Sequence, residues 1–181
     1  NTLGTLANPG IRAVLGGGSF GTLRRTLAWN TGMLQDGWSF EGRASRITSD
    51  GWVDRATSNL SSLYGRVAKR WNSGRLSFTS MLGHERTFQA WYGVPKIAVD
   101  SESTDEDILN WAEGSYEYNY GADTVRINDL LDRRARHNYY RYENEVDNYS
   151  QNHYQVHLDQ SFGNWSLGGV FYATLGAGYY E

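Results

Sequence analysis

Few side chains in this chain are of a type and spacing suited to chemistry. His84-Glu85 has the first two residues of a zinc-protease helix but lacks the second histidine that would complete the ligand set. His153 and His157 are four residues apart in an alternating segment. On a strand they share a face about 13 Å apart, too far to hold one ion together, and lining a polar face is the better reading. Asp100 to Asp107, D-S-E-S-T-D-E-D, is acidic, but its spacing is not that of a calcium loop, and a solvated acidic loop is expected. Gly16-Gly17-Gly18 lies in a strand with no helix after it, so it is no phosphate cradle, and there is no nucleophile elbow or dinucleotide fingerprint. No catalysis, metal or cofactor is expected. The aromatic- and arginine-rich stretch after residue 88 remains. Trp91, Tyr92, Tyr116, Tyr118, Arg136, Tyr139 and Tyr140 are candidate ligand contacts, because Tyr, Trp and Arg supply contact area and directed hydrogen bonds. Packing of the same rings onto neighbouring loops is the alternative.

These residues must be held by strands. From about Asn152 the chain alternates: Tyr154, Val156, Leu158 and Phe162 take one parity, and His153, Gln155, His157, Asp159 and Ser161 the other. A tight turn at Gly163-Asn164 leads to a second strand in which Trp165, Leu167, Gly169, Phe171 and Ala173 continue the pattern. Upstream, strands are expected at 11–18, 22–33, 38–47, 59–71 and 75–88. Asp36-Gly37 and Asn72-Ser73-Gly74 serve as turns. Loops are expected at 48–58 and 89–147, the latter with a short helix near 108–113. Residues 1–10 look like a connector to a sheet domain over 11–181.

The chain of 181 residues has a net charge of −3, which gives no reason to expect nucleic-acid binding. It has no cysteine, hence no disulfides or thiol metal sites. Mean hydropathy is −0.62 and no apolar run is long enough for a membrane helix. Strands of about ten alternating residues are another matter, because in a membrane barrel only every second side chain meets lipid. Short and long connections alternate here as periplasmic turns and extracellular loops do, and Trp38, Trp71 and Trp165 stand beside the short turns like an interfacial girdle. Core tryptophans at the hairpin ends of a soluble sandwich are the competing account. Arg25 and Lys69 share the apolar parity. Arg25 is expected near the outer rim or beside a bulge, and Lys69 close enough to Trp71 to reach the interface.

Five stretches carry a resemblance to a family: G-S-F-G-T-L-R-R-T-L at 18–27, G-R-A-S-R-I-T-S-D-G-W-V-D-R-A at 42–56, E-R-T-F-Q-A-W-Y-G-V-P at 85–95, E-V-D-N-Y-S-Q-N-H-Y-Q-V-H at 145–157 and G-A-G-Y-Y-E at 176–181. In order and spacing they resemble the N-terminal part of the β-barrel of TonB-dependent outer-membrane receptors of the Bacteroidetes type. The resemblance implies an all-β fold: about seven antiparallel strands of a transmembrane barrel of about 22, closed around the protein's own plug domain. It further implies a bacterial outer-membrane location, lipid contact, and import of a scarce small-molecule nutrient such as an iron–siderophore, driven by the TonB complex through an N-terminal region. On this mapping 48–58 and 89–147 are extracellular. The chain reads as a piece of such a transporter, with neither plug nor TonB-contacting segment in view. The alternative is a soluble β-sandwich module that binds glycans with its aromatic loop, and a small closed porin- or adhesin-like barrel is a third reading. If the apolar parity faces lipid, Arg at Phe40 or Leu158 is expected to block membrane assembly and Arg at Ser39 to be tolerated.

Overall fold

A computed structural model describes residues 8–115, 120 and 123–181. The sequence-expected connector 1–10 lies largely outside them. Seven antiparallel strands form one open sheet in sequence order: β1 (Gly10–Gly17), β2 (Leu23–Asn30), β3 (Trp38–Ser49), β4 (Ser58–Trp71), β5 (Gly74–Phe88), β6 (Val146–Phe162) and β7 (Trp165–Tyr180). β1 and β7 are its edges. The all-β class and the strand sequence agree with the alternation pattern. Barrel closure is not part of what the sheet displays.

Several boundaries differ from expectation. β2 stops at Asn30 rather than running to 33, because Gly32 turns to φ +63° and its N–H bonds back to the Asn30 side chain. β3 runs on to Ser49, so the loop expected at 48–58 shrinks to 50–57. β6 begins at Val146, before clear alternation sets in, because pairing with Phe88 at the end of β5 extends it. The β6–β7 hairpin turns at Gly163, whose φ of +59° favours glycine.

The register sorts side chains into rows. One face carries Phe40, Val67, Phe78, Val156 and Phe171 side by side; beyond an intervening row of Trp29, Gly42, Gly65, Ser80, Tyr154 and Ala173 comes a row of Leu27, Ala44, Leu63, Leu82 and Leu175, with Asn152 as its polar member. The opposite face carries Ser39, Ala68, Ser77 and His157, then Glu41, Arg66, Thr79 and Gln155. Burial is inverted with respect to polarity. Ser39, Ser77 and Thr79 are 2%, 2% and 1% exposed, whereas Phe40, Phe78 and Leu63 are 37%, 42% and 53% exposed. The enclosure of Ser39 corrects the expectation that Arg would be tolerated there: its site has no room for a guanidinium. β7 is exposed on both faces, as its edge position dictates.

The hydrophobic cluster of fully buried side chains is not in the sheet. It lies in the excursion between β5 and β6, where one short helix was expected and the described residues form three α-helices, α1 (Lys96–Val99), α2 (Asp105–Gly114) and α3 (Thr124–Arg133), with a 3₁₀ turn at Arg134–Arg136. Ala98, Ile108, Ala112, Tyr120, Ile127 and Leu130 make its core. α2 starts three residues earlier than expected. Thr104 is its N-cap, and Asp107 closes a capping box by accepting from the Thr104 N–H and hydroxyl. Those bonds hold the Asp107 carboxyl below its usual pKa, the Thr104 hydroxyl contributing most. Asp123 caps α3 through the Arg126 N–H, which lowers its pKa likewise.

Candidate functional site

The helical cap is fastened to the sheet by loop 50–57. Asn138 is buried and its amide donates to the carbonyls of Asp54 and Gln89 at 2.9 and 3.1 Å, while its side-chain oxygen accepts from the Tyr140 N–H at 3.0 Å. Arg55 reaches the same strap from the other side, donating to the Asn138 carbonyl and twice to that of Tyr140. It does so from a backbone with φ of +65°, a conformation held by surrounding bonds. Trp52 Nε1 donates to the Ala135 carbonyl, and the Asp54 N–H to that of Arg136. This strap, 134–140, carries the candidate residues Tyr139 and Tyr140.

Four of the sequence-selected ligand candidates come together. Tyr92 stacks on Tyr140 with ring centroids 5.6 Å apart and an interplanar angle of 16°, and meets the edge of Tyr139 at 4.8 Å. Trp91 sits edge-on to Tyr140 at 6.2 Å and to Tyr180 at 5.6 Å. Arg126 lies over Tyr139, 4.2 Å from its centroid. Burial raises the Tyr140 hydroxyl pKa, and the neighbouring Tyr92, Glu145 and Tyr139 raise it further. The cluster is open: Trp91 and Tyr92 are 59% and 46% exposed. Its ring faces suit stacking on flat or sugar-like ligand surfaces.

Arg136 does not join them. Its guanidinium pairs with Asp54 at 2.9 Å, beside Arg133 at 3.4 Å, and lies over Trp52, so its charge is committed to fastening the cap. Tyr116 and Tyr118 lie outside the described residues. A buried chain that the sequence did not announce runs behind the cluster. Tyr120 bonds His137 Nε2 at 2.8 Å, and His137 Nδ1 bonds Asp129 at 2.7 Å. Burial lowers the His137 pKa and outweighs Asp129, which raises it; Arg55 and Arg141 lower it further. In the neutral ring Nδ1–H donates to the carboxylate and Nε2 accepts the phenol proton. With Tyr120 and His137 1% and 2% exposed, this chain braces the cap rather than meeting a ligand.

At the turn end of the sheet Trp38, Trp71 and Trp165 share the apolar face, 37%, 36% and 81% exposed. The Trp71 indole lies across Gly74 and donates to Gln160 at 2.9 Å. Lys69 crosses the Trp38 ring, 5.0 Å from its centroid, to donate to the Asp36 carbonyl in the turn. The charge thus leaves the apolar rows while the stem covers them. Arg25 lies at the other end, directly opposite Arg46 and in a row with Ser61, His84 and Ser150. His153 and His157 share the polar face, bonded to Thr174 and Gln155 respectively. Among the described residues no group of three His, Cys, Asp or Glu side chains is placed to hold a metal ion. No helix is long and apolar enough to cross a membrane, which says nothing of strands. Compared with protein-family models, with curated proteins and with solved structures, the chain matches none.

Proposed function

We propose that the seven strands are part of an outer-membrane β-barrel of the TonB-dependent transporter type, importing a scarce nutrient of the iron–siderophore class past the helical cap. The carrying observation is the inverted sheet, with its apolar face exposed and its small polar face enclosed. A sandwich module needs the apolar face covered by a second sheet; a barrel needs it bare for lipid. On β5 the apolar span from Leu76 to Leu82 covers about 20 Å along the strand, close to the band of about 25 Å in such barrels. It ends in tryptophans and Lys69 at one side and in Arg25 and Arg46 at the other, a belt bounded at both rims. Two unpaired edges suit a sheet continued by further strands, since an open edge is not tolerated in lipid. The plug and the TonB complex are the partners this reading brings with it. The cluster of Trp91, Tyr92, Tyr139 and Tyr140 is the candidate ligand contact of the cap.

The test is assembly of the full-length protein that carries this chain. Phe78→Arg puts a charge in the middle of the belt at about 2–4 kcal/mol. Gln151→Arg adds the same charge at an exposed position of the polar face, outside that belt. The first is expected to abolish insertion into lipid vesicles, read as loss of heat-modifiable migration and protease protection, and the second to leave it intact. Equal behaviour of the two variants refutes the face assignment. Nutrient uptake that survives collapse of the inner-membrane proton gradient refutes energised import.

A further inference from the structure

The apolar face carries a charge asymmetry that a lipid-facing belt does not by itself require. Its strand residues include Arg25, Arg46, Lys69 and Arg86 but no Asp or Glu, whereas Glu41, Glu85, Asp147 and Asp159 all fall on the other face. Lys69 bonds into its turn. Arg25 and Arg46 stand directly opposite each other on neighbouring strands, both exposed. Directly opposed side chains have Cβ atoms about 4.5–5.5 Å apart, and like charges there destabilise the sheet unless an anion lies between them. Arg46 donates from Nε to Asn59, leaving the outer edge of its guanidinium free, and no hydrogen bond or ion pair involves Arg25 among the described residues. Below this pair the sheet forms an open groove of about 720 Å³ with Leu27, Ala44, Leu63 and Leu82 in its lining. Two guanidinium groups above an apolar channel match an amphiphile with a negative head and hydrocarbon tails, since guanidinium binds phosphate oxygens in a bidentate fork.

We propose that this groove seats one anionic membrane lipid, its phosphate between Arg25 and Arg46 and its acyl chains over Leu27, Ala44, Leu63 and Leu82. The proposal rests on the membrane reading above and adds a defined lipid site to it. Charge complementarity favours this occupant: a lipid of net negative charge gives the two arginines an uncompensated phosphate, whereas the choline cation of a zwitterionic lipid offsets its own.

The experiment uses the full-length protein in phosphatidylcholine nanodiscs, titrated with brominated phosphatidylglycerol or brominated phosphatidylcholine. Tryptophan quenching is the readout, and Trp29 lies one row from the groove. The anionic lipid is expected to bind preferentially, and the Arg25→Gln/Arg46→Gln double variant to lose about thirtyfold in that preference, which is about 2 kcal/mol over the two surface charges. Arg43→Gln, on the other face, keeps it. In the unmodified protein added salt must weaken the preference, which tests the site without a substitution. Equal quenching by the two lipids in an inserted protein overturns the lipid seat and leaves the membrane reading standing. Loss of the preference on replacing chloride by inorganic phosphate at constant ionic strength overturns a lipid-specific seat in favour of a simple anion site. Failure of every form to enter nanodiscs overturns both.

Discussion

Asn138 concentrates the attachment of the cap in one side chain, so its removal has a calculable effect. Replacement by Ala deletes two donors and one acceptor, leaving the carbonyls of Asp54 and Gln89 and the N–H of Tyr140 without these partners. Asn138 and Gln89 are 1% and 4% exposed, so the stranded groups are poorly placed to recover bonds from solvent. At about 1 kcal/mol each the loss is about 3 kcal/mol, or more than a hundredfold in the population of cap-open molecules. Trypsin reads this directly, because Arg133, Arg134 and Arg136 lie in or beside the single 3₁₀ turn that precedes Asn138. Where opening and closing are fast, cleavage tracks the open population. Asn138→Ala in the full-length protein should therefore be cut there about a hundredfold faster than the unmodified form, with Glu143→Ala, at an exposed site, unchanged. Asn138→Asp should be no better, because it keeps the acceptor for Tyr140 but sets an anionic oxygen against two carbonyls. Equal cleavage of Asn138→Ala and the unmodified protein refutes the strap as the fastening of the cap.

Three further outcomes follow from the same geometry. His137 is held neutral by burial, so the unfolded cap takes up a proton near the ordinary value of 6.5 before the folded one does. Cap stability is thus full above about pH 6.5 and declines as pH falls below it, by up to about 1.4 kcal/mol per pH unit; amide exchange in α3 that is no faster at pH 5.5 than at 7.5, after correction for intrinsic rates, contradicts this. Leu130→Ala empties a fully buried site in the cap core and should cost about 2–5 kcal/mol of local stability, seen as faster exchange in α2 and α3 with the β3–β5 amides unaffected. Gly42→Val places a Cβ about 2.5 Å from Trp29 Nε1, so the indole must leave its seat over Gly42, and stronger quenching of its fluorescence by brominated lipid is expected.

The sheet was legible because each strand repeats one local rule, side chains alternating between two faces, and because turns such as Asp36-Gly37 and Gly163-Asn164 mark their own places. Lys69 could be assigned to the apolar face from parity, and to the turn end from its closeness to Trp71. The cap was not legible to the same degree. Its helices are short, and α2 shows only Ile108 and Ala112 as buried apolar residues. The Thr104–Asp107 capping box was the available signal for its start, and Ile127 and Leu130, three apart after the Asp123 cap, were the signal for α3. Four of the aromatic candidates proved neighbours because Trp91 and Tyr92 enter the cap where Tyr139 and Tyr140 leave it. Arg136 looked like their equal in composition, but its partner Asp54 lies in another loop, and no spacing rule connects the two. The same holds for His137, whose role depends on Asp129 and Tyr120 closing around it.

The cap also bears on how fast the sheet can assemble. Every other pair of neighbouring strands is joined by a short link, so those contacts are local and cheap in chain entropy; β5 and β6 alone must find each other across residues 89–145. Loop-closure entropy grows with the length of free chain, by about 0.6 kcal/mol per doubling, and distant pairings slow folding. Helices that gather around Ile108 and Leu130 shorten that free chain, and the bond from the Gln89 N–H to the Glu145 carbonyl at 2.8 Å brings the two ends side by side. The excursion then behaves in kinetics as a tight hairpin, and the rate-limiting search moves from the strands to the cap.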